Sequence, residues 1–324
     1  MIWLRSRDGL HGRRHYLRAA RPPGSPGSIA GCPGIGYATA MSIQTGKLRG
    51  GGLLLDGSGG IAARRRAAAH DFSDGAAQWR LACSLGWLDI RLRYRGSALG
   101  PFWLTLSSAV MVAAMGWIYG TLFGMVLRQY LPFLAVSLIL WQTGIGGMTA
   151  EACSVFLDAE QTIRSMRMPF TVQVLRCVVR NAIVLAHNLV VPIGVFAIFD
   201  TWPGAGAVLA LPGLALWIVD GIAACFLLGS ICARYRDVPQ IVGSIMQIAF
   251  YITPIIWKPA QLGAHGWWLP LNPFYSLIEV IRAPLLDTAL TPGIWASALA
   301  YSIVVWVAAW VVFIRARPRL AFWV

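Results

Sequence analysis

The sequence predicts an all-α membrane protein with six transmembrane helices, an N-terminal amphipathic interfacial helix, and short outer-face helices between spans five and six. Three observations carry that class. The chain has 324 residues, of which 57% are apolar and only 12% charged, against about 25% charged in soluble proteins. Six stretches approach the ~20 largely apolar residues needed to cross a bilayer. The charge is also uneven: residues 1–97 hold 15 of the 27 Lys+Arg and 5 of the 13 Asp+Glu, so most of the net +14 sits ahead of the first apolar stretch. A nucleic-acid binder of equal basicity would need its Lys and Arg on a soluble folded surface.

Residues 1–77 read as a flexible extension. The first 40 residues are rich in Arg, Gly and Pro and contain no signal-peptide-like apolar core, and Met41 is a plausible start. From Gln78 the character changes. Over 78–97, Leu81, Leu85, Leu88 and Leu92 recur as one apolar stripe, while Arg80, Ser84, Arg91 and Arg95 recur on another face. The segment is too polar to span and suits either the membrane surface or a helix packed on a partner.

The six spans are expected at about 101–125, 131–150, 172–199, 205–232, 238–256 and 294–314. Between the last two lies a half-apolar segment broken by Pro259, Pro270, Pro273 and Pro284, read as short helices in the outer interface. With an even span count both termini share a side. That side has Arg164, Arg167, Arg234, Arg236, Arg315, Arg317 and Arg319 near span ends; the other has Arg128, Lys258 and Arg282. The excess of basic residues places both termini in the cytoplasm and the chain in the cytoplasmic membrane.

Several residues stand out chemically. Arg91, Arg93 and Arg95 fall where the interfacial helix meets the first span; guanidinium groups there suit a lipid diphosphate and equally suit plain anchoring to anionic lipid. Residues 158–170 form a charged segment in which Glu160 and Arg164, spaced i, i+4, favour a short helix, with Arg167 beyond it. Inside the spans lie Arg180, His187 and Asp220. If spans three and four form a hairpin, Asp220 faces about residue 184, one turn from both basic groups, as an ion pair or as a polar patch on a translocation path. Trp257, Trp267, Trp268 and Tyr275 gather near the outer face, either as an interfacial belt or as a surface on which sugar rings stack.

The six cysteines, Cys32, Cys83, Cys153, Cys177, Cys225 and Cys232, form no CxxC pair and read as small core residues. There is no GxxxxGK[ST] phosphate loop, HExxH or GxSxG. No metal or cofactor is expected on this chain, and no catalytic residue.

Four motifs carry a family resemblance. The run Arg93-Tyr94-Arg95-Gly96-Ser97-Ala98-Leu99-Gly100-Pro101-Phe102-Trp103 leads into the first span. Ala233-Arg234-Tyr235-Arg236-Asp237-Val238-Pro239 separates spans four and five. Thr253-Pro254-Ile255-Ile256-Trp257 is followed by Leu271-Asn272-Pro273-Phe274-Tyr275 and Arg282. A basic stretch from Arg164 ends at Pro169. In this order, over roughly residues 78–314, the chain resembles the ABC-2 type permeases that export polysaccharides such as O-antigen, capsule, teichoic acid and cell-wall galactan. The resemblance implies a homodimer paired with two ATPase subunits that hold ATP and Mg, a lipid-linked glycan as substrate, and a coupling role for Glu160, Arg164 and Arg167. Two rivals remain at this level: an ABC-2 exporter of drugs or lipids, and a membrane-embedded glycosyltransferase, for which Glu151, Glu279 and Asp287 are the loose acidic candidates.

Overall fold

The structure is a computed structural model that describes residues 60–96, 100 and 102–324. Among them every regular element is helical: α1 (Ile61–Ala77), α2 (Trp79–Arg93), α3 (Phe102–Leu122), α4 (Leu127–Ile139), a π-helical segment (Leu140–Gly146), α5 (Gly147–Ser154), α6 (Glu160–Ser165), α7 (Phe170–Asn188), α8 (Val190–Phe199), a 3₁₀ segment (Ala205–Leu209), α9 (Ala210–Arg234), α10 (Val238–Ile252), a second 3₁₀ segment (Pro259–Leu271), α11 (Pro273–Leu285) and α12 (Pro292–Trp323).

Five helical stretches are long and apolar enough to cross a membrane: Phe102–Leu122, Leu127–Ser154, Phe170–Phe199, Ala205–Arg234 and Pro292–Trp323. The fifth expected span is shorter than its sequence suggests. α10 has 15 residues, about 22 Å of helix, against a hydrocarbon core of about 30 Å. It stops at Thr253 because that residue precedes Pro254, and a residue before proline is pushed out of the α region; Thr253 takes ψ 136°. The chain then turns inward, so Ile255 is buried and the Ile256 carbonyl accepts from the Tyr130 hydroxyl at 2.6 Å.

The stretch Leu127–Ser154 is the bundle's centre, with 72% of its most apolar window buried against 22–33% in the other four. α3 packs on α4 through small residues: Gly116 and Gly120 lie under Leu131 and Tyr130, the close approach that drives helix association in lipid. Its opposite face, with Val110, Trp117 and Ile118, is exposed. The π segment is stitched from outside. The Asn181 amide, oriented to satisfy its neighbours, donates to the Thr143 carbonyl (3.2 Å) and accepts from the Met148 N–H (3.3 Å).

The contacts sort the loops onto two ends. At one, Asp71 accepts from the Phe170 and Thr171 N–H groups and from Arg317, and Arg164 and Arg236 donate to the Val324 and Trp323 carbonyls. At the other, Arg128 donates to the Phe199 and Asp200 carbonyls, and Asp287 accepts from the Gly204 N–H. The far end is knotted by Arg282, which is 1% exposed: it donates to Ser137 Oγ (2.8 Å), the Pro254 carbonyl (2.6 Å) and Glu279, above the Phe133 ring. The Leu271–Tyr275 motif is a helix start, with Asn272 Oδ1 accepting from the Phe274 and Tyr275 N–H groups and Pro273 in the first turn.

One expectation needs correcting. The flexible extension was expected to reach residue 77, but Ile61–Ala77 is a helix packed on α7 and α12. Ala62–Ala69 is all Ala and Arg, strong helix formers, and Ala68, Asp71 and Gly75 are buried. A Cβ on Gly75 would lie 2.4 Å from Thr171 Cβ, so the two backbones nearly touch. The expected tail before residue 60, with Met41, lies outside the described residues.

Candidate functional site: a charged junction before the first span

α2 carries two distinct faces. Ala82, Gly86 and Ile90 form a buried stripe packed on α7, with Gly86 close under Val179. The opposite side exposes Trp79, Leu81, Trp87, Leu88 and Leu92, the apolar surface a helix needs in order to lie at a membrane boundary. The helix ends at Arg93, four residues earlier than expected. Gly96 and Gly100 then adopt φ of 86° and 55°, conformations open to glycine, before α3 begins. Ser97 to Leu99 and Pro101, which complete the motif, lie outside the described residues.

The inner side of α2 is tied down by charge. Asp89 accepts from Arg176 through Nε (2.6 Å) and Nη2 (2.5 Å), a bidentate pair. Arg180 reaches Asp89 at 3.4 Å and donates through Nε to Glu151 Oε2 at 3.0 Å. Arg93 closes the chain on Glu151 Oε1 at 3.4 Å. Three arginines and two carboxylates therefore join α2, α5 and α7 directly beside the start of the first span. Arg91 and Arg95, at the C-terminal end of α2, are exposed and have no partner among the described residues. The three arginines before the first span thus divide: Arg93 is spent on Glu151, and Arg91 and Arg95 are left without a partner among the described residues.

This arrangement corrects the intramembrane pairing expected for Asp220. Arg180 is turned toward Asp89 and Glu151, and His187 is exposed on α7. Neither pairs with Asp220, whose Oδ2 instead accepts from Ser302 Oγ on α12 at 2.7 Å while Oδ1 stays buried and unpartnered. The hairpin argument set α9 against α7 alone, whereas α9 also runs along α12. Asp220 borders an apolar cavity of about 410 Å³ shared with Asn181, Trp217 and Ser302.

Glu160 and Arg164 form the expected i, i+4 ion pair at 2.9 Å on α6; both are well exposed, so the pair itself adds little stability. Arg167 is exposed just beyond it. The four outer aromatics do not form one surface. Trp257 donates to the Tyr251 carbonyl, Trp267 is 76% exposed, Trp268 packs on the core, and Tyr275 lines a cleft. Sequence reading missed Asp89, Arg176 and Glu151 as one unit. The available signal was the i, i+4 spacing of Arg176 and Arg180, which demands carboxylates nearby once both lie in a largely apolar helix. Among the described residues no group of three or more His, Cys, Asp or Glu side chains could hold a metal ion.

Comparison with known proteins bears on this junction. No family model matches the chain. It is 28% identical over 215 residues to the O-antigen export system permease protein RfbA of Myxococcus xanthus, covering 63% of this chain and 79% of that protein. It is 24% identical over 196 residues to the protein of the same name from Klebsiella pneumoniae, covering 59% and 74%. Both relatives are named as permease proteins of an O-antigen export system. The motif resemblance and the relatives' names point the same way.

Proposed function

We propose that this chain is the transmembrane permease subunit of an ATP-driven exporter that moves a lipid-linked polysaccharide across the cytoplasmic membrane. It works as a homodimer with two separate ATPase subunits, and both termini are cytoplasmic. The names of the two relatives, the order of the four motifs and the all-helical multi-pass fold support this reading. Orientation rests on the basic residues, most of which gather at the end holding α1, α6 and the last turns of α12.

The observation that carries the mechanism is the pair Arg91 and Arg95. Arg91 lies in the last turn of α2 and Arg95 two residues past its end, both exposed ahead of the first span. Asp89, Arg176, Arg180, Glu151 and Arg93 hold the end of α2 that carries Arg91 and leads into Arg95, so the pair leaves a fixed support. In this reading they grip the diphosphate of the lipid carrier at the cytoplasmic face, Arg93 anchors, and α6 with Arg167 meets the ATPase and passes its closure to the spans. A charge-assisted contact to phosphate is worth about 1.5–3 kcal/mol, and lysine keeps the charge but loses the planar fork. The double variant Arg91→Lys, Arg95→Lys should lower substrate-stimulated ATP hydrolysis of the purified complex about tenfold with insertion unchanged. Wild-type stimulation in that variant would reduce the pair to membrane anchoring.

A further inference from the structure

The far end of the bundle holds a cleft of about 760 Å³ between the start of α4, the Thr201–Trp202 turn, Lys258 and α11, a size typical of ligand pockets. Its polar atoms are unevenly used. Thr201 Oγ1 is buried and has no hydrogen-bond partner. The Tyr275 side chain is more than nine-tenths buried, and among the described residues its hydroxyl has no partner. Glu279 commits Oε2 to Arg282 and leaves Oε1 open. Lys258 Nζ gives one hydrogen bond, to the Gln129 carbonyl, leaving two donors over. Trp202, exposed on the rim, offers an aromatic face.

Buried polar groups are nearly always hydrogen-bonded, and exceptions ask for an explanation. Of the cleft's unused atoms only Thr201 Oγ1 is fully enclosed; the Tyr275 hydroxyl, Glu279 Oε1 and Lys258 Nζ face the open cleft, and together the four form a mixture of donors and acceptors that a polyol satisfies and an anion does not. The cations do not favour a phosphate: Arg282 is enclosed by Glu279, Ser137 and a carbonyl, Arg128 donates to two carbonyls, and Glu279 and Asp287 add negative charge. Burial pushes the Tyr275 hydroxyl up to about 12, with the Glu279 carboxylate adding to the effect, so it stays a donor through the neutral range.

We propose that this cleft binds one or two sugar units of the exported glycan as they emerge on the far side, with Thr201, Lys258, Tyr275 and Glu279 meeting hydroxyls and Trp202 stacking on a ring. This rests on the exporter reading and adds a second, carbohydrate-specific contact remote from the arginine pair. The test places p-azidophenylalanine at Trp202, and separately at Trp267, which is exposed outside the cleft, in cells making their own glycan. After irradiation the purified permease is probed for covalently attached carbohydrate. A carbohydrate-bearing adduct at position 202 at least about tenfold above that at 267, cut about threefold by Thr201→Val, is the expected result. Equal adducts at both positions, a lipid adduct without sugar at 202, or no adduct while surface glycan is exported normally would each overturn the cleft proposal and leave the exporter reading standing. Surface glycan unchanged on deletion of the gene would instead remove the exporter reading, and the cleft proposal with it.

Discussion

Asp89 is the keystone of the junction, and removing its charge should loosen α2. It receives two short bonds from Arg176 and one longer bond from Arg180. Each charge-assisted bond is worth about 1.5–3 kcal/mol. Breaking a fully buried pair costs about 3–5 kcal/mol, but Asp89, Arg176 and Arg180 keep 14, 24 and 11% exposure, so solvent reduces the loss. Asp89→Asn should therefore cost about 2–3 kcal/mol in equilibrium unfolding of the purified protein in mixed micelles. A cycle of Asp89→Asn, Arg176→Gln and the double variant isolates the pair, with an expected coupling of about 1.5–3 kcal/mol. Spin labels on α2 and α7 should report a broadened distance in the single variants. A coupling below about 0.5 kcal/mol, or an unchanged distance distribution, would refute the claim that this charge chain holds the helix in place.

Three further outcomes follow from particular residues. In a background without native cysteines, a Cys at Gly266, where a Cβ has room, should react with an impermeant thiol reagent outside the cell, while Cys at Ser165 or Asp237 should not; the reverse pattern would invert the topology. Charge reversal of Glu160, Arg164 and Arg167 together should weaken co-purification of the ATPase while the permease still inserts, and full export by that variant would return α6 to a plain loop. Gly144→Ala sets a Cβ 2.2 Å from the Trp217 ring and should destabilise by about 1–3 kcal/mol, whereas Gly243→Ala meets nothing within 4 Å and should be neutral or slightly stabilising; equal unfolding midpoints for the two would show that the contact is not tight.

The spans were legible because apolar length is a composition signal that survives without knowledge of packing. The helix start at Asn272-Pro273 and the Glu160–Arg164 pair were legible because both depend on near neighbours in sequence. What escaped was set by distant partners. Asp89 meets Arg176 across 87 residues, and nothing local distinguishes it from an ordinary surface carboxylate. α1 escaped because an Ala- and Arg-rich run lacks an apolar stripe, and its burial depends on closely packed Gly75. α10 was drawn too long because hydropathy runs on through Ile255 and Ile256 while Pro254 stops the helix. The Asp220 pairing failed because a two-helix argument left α12 out. At the far end, Tyr275 was singled out among four aromatics for its ring, whereas its unpartnered hydroxyl in the cleft is the more telling feature.

The π segment at Leu140–Gly146 acts as a phase setter for everything that follows it on the same helix. Each residue of an α-helix advances the side-chain direction by about 100°, and a π turn accommodates an extra residue. Glu151 lies five residues beyond the segment's end, so its bearing toward Arg180 and Arg93 depends on that wider turn. Refolding Leu140–Gly146 into regular α geometry with no residue removed would leave the extra residue's advance of about 100° unabsorbed and swing Glu151 through roughly that angle. The carboxylate would then point away from both arginines. A backbone irregularity held by Asn181 in the middle of the bundle thus sets the azimuth of a charge at its edge.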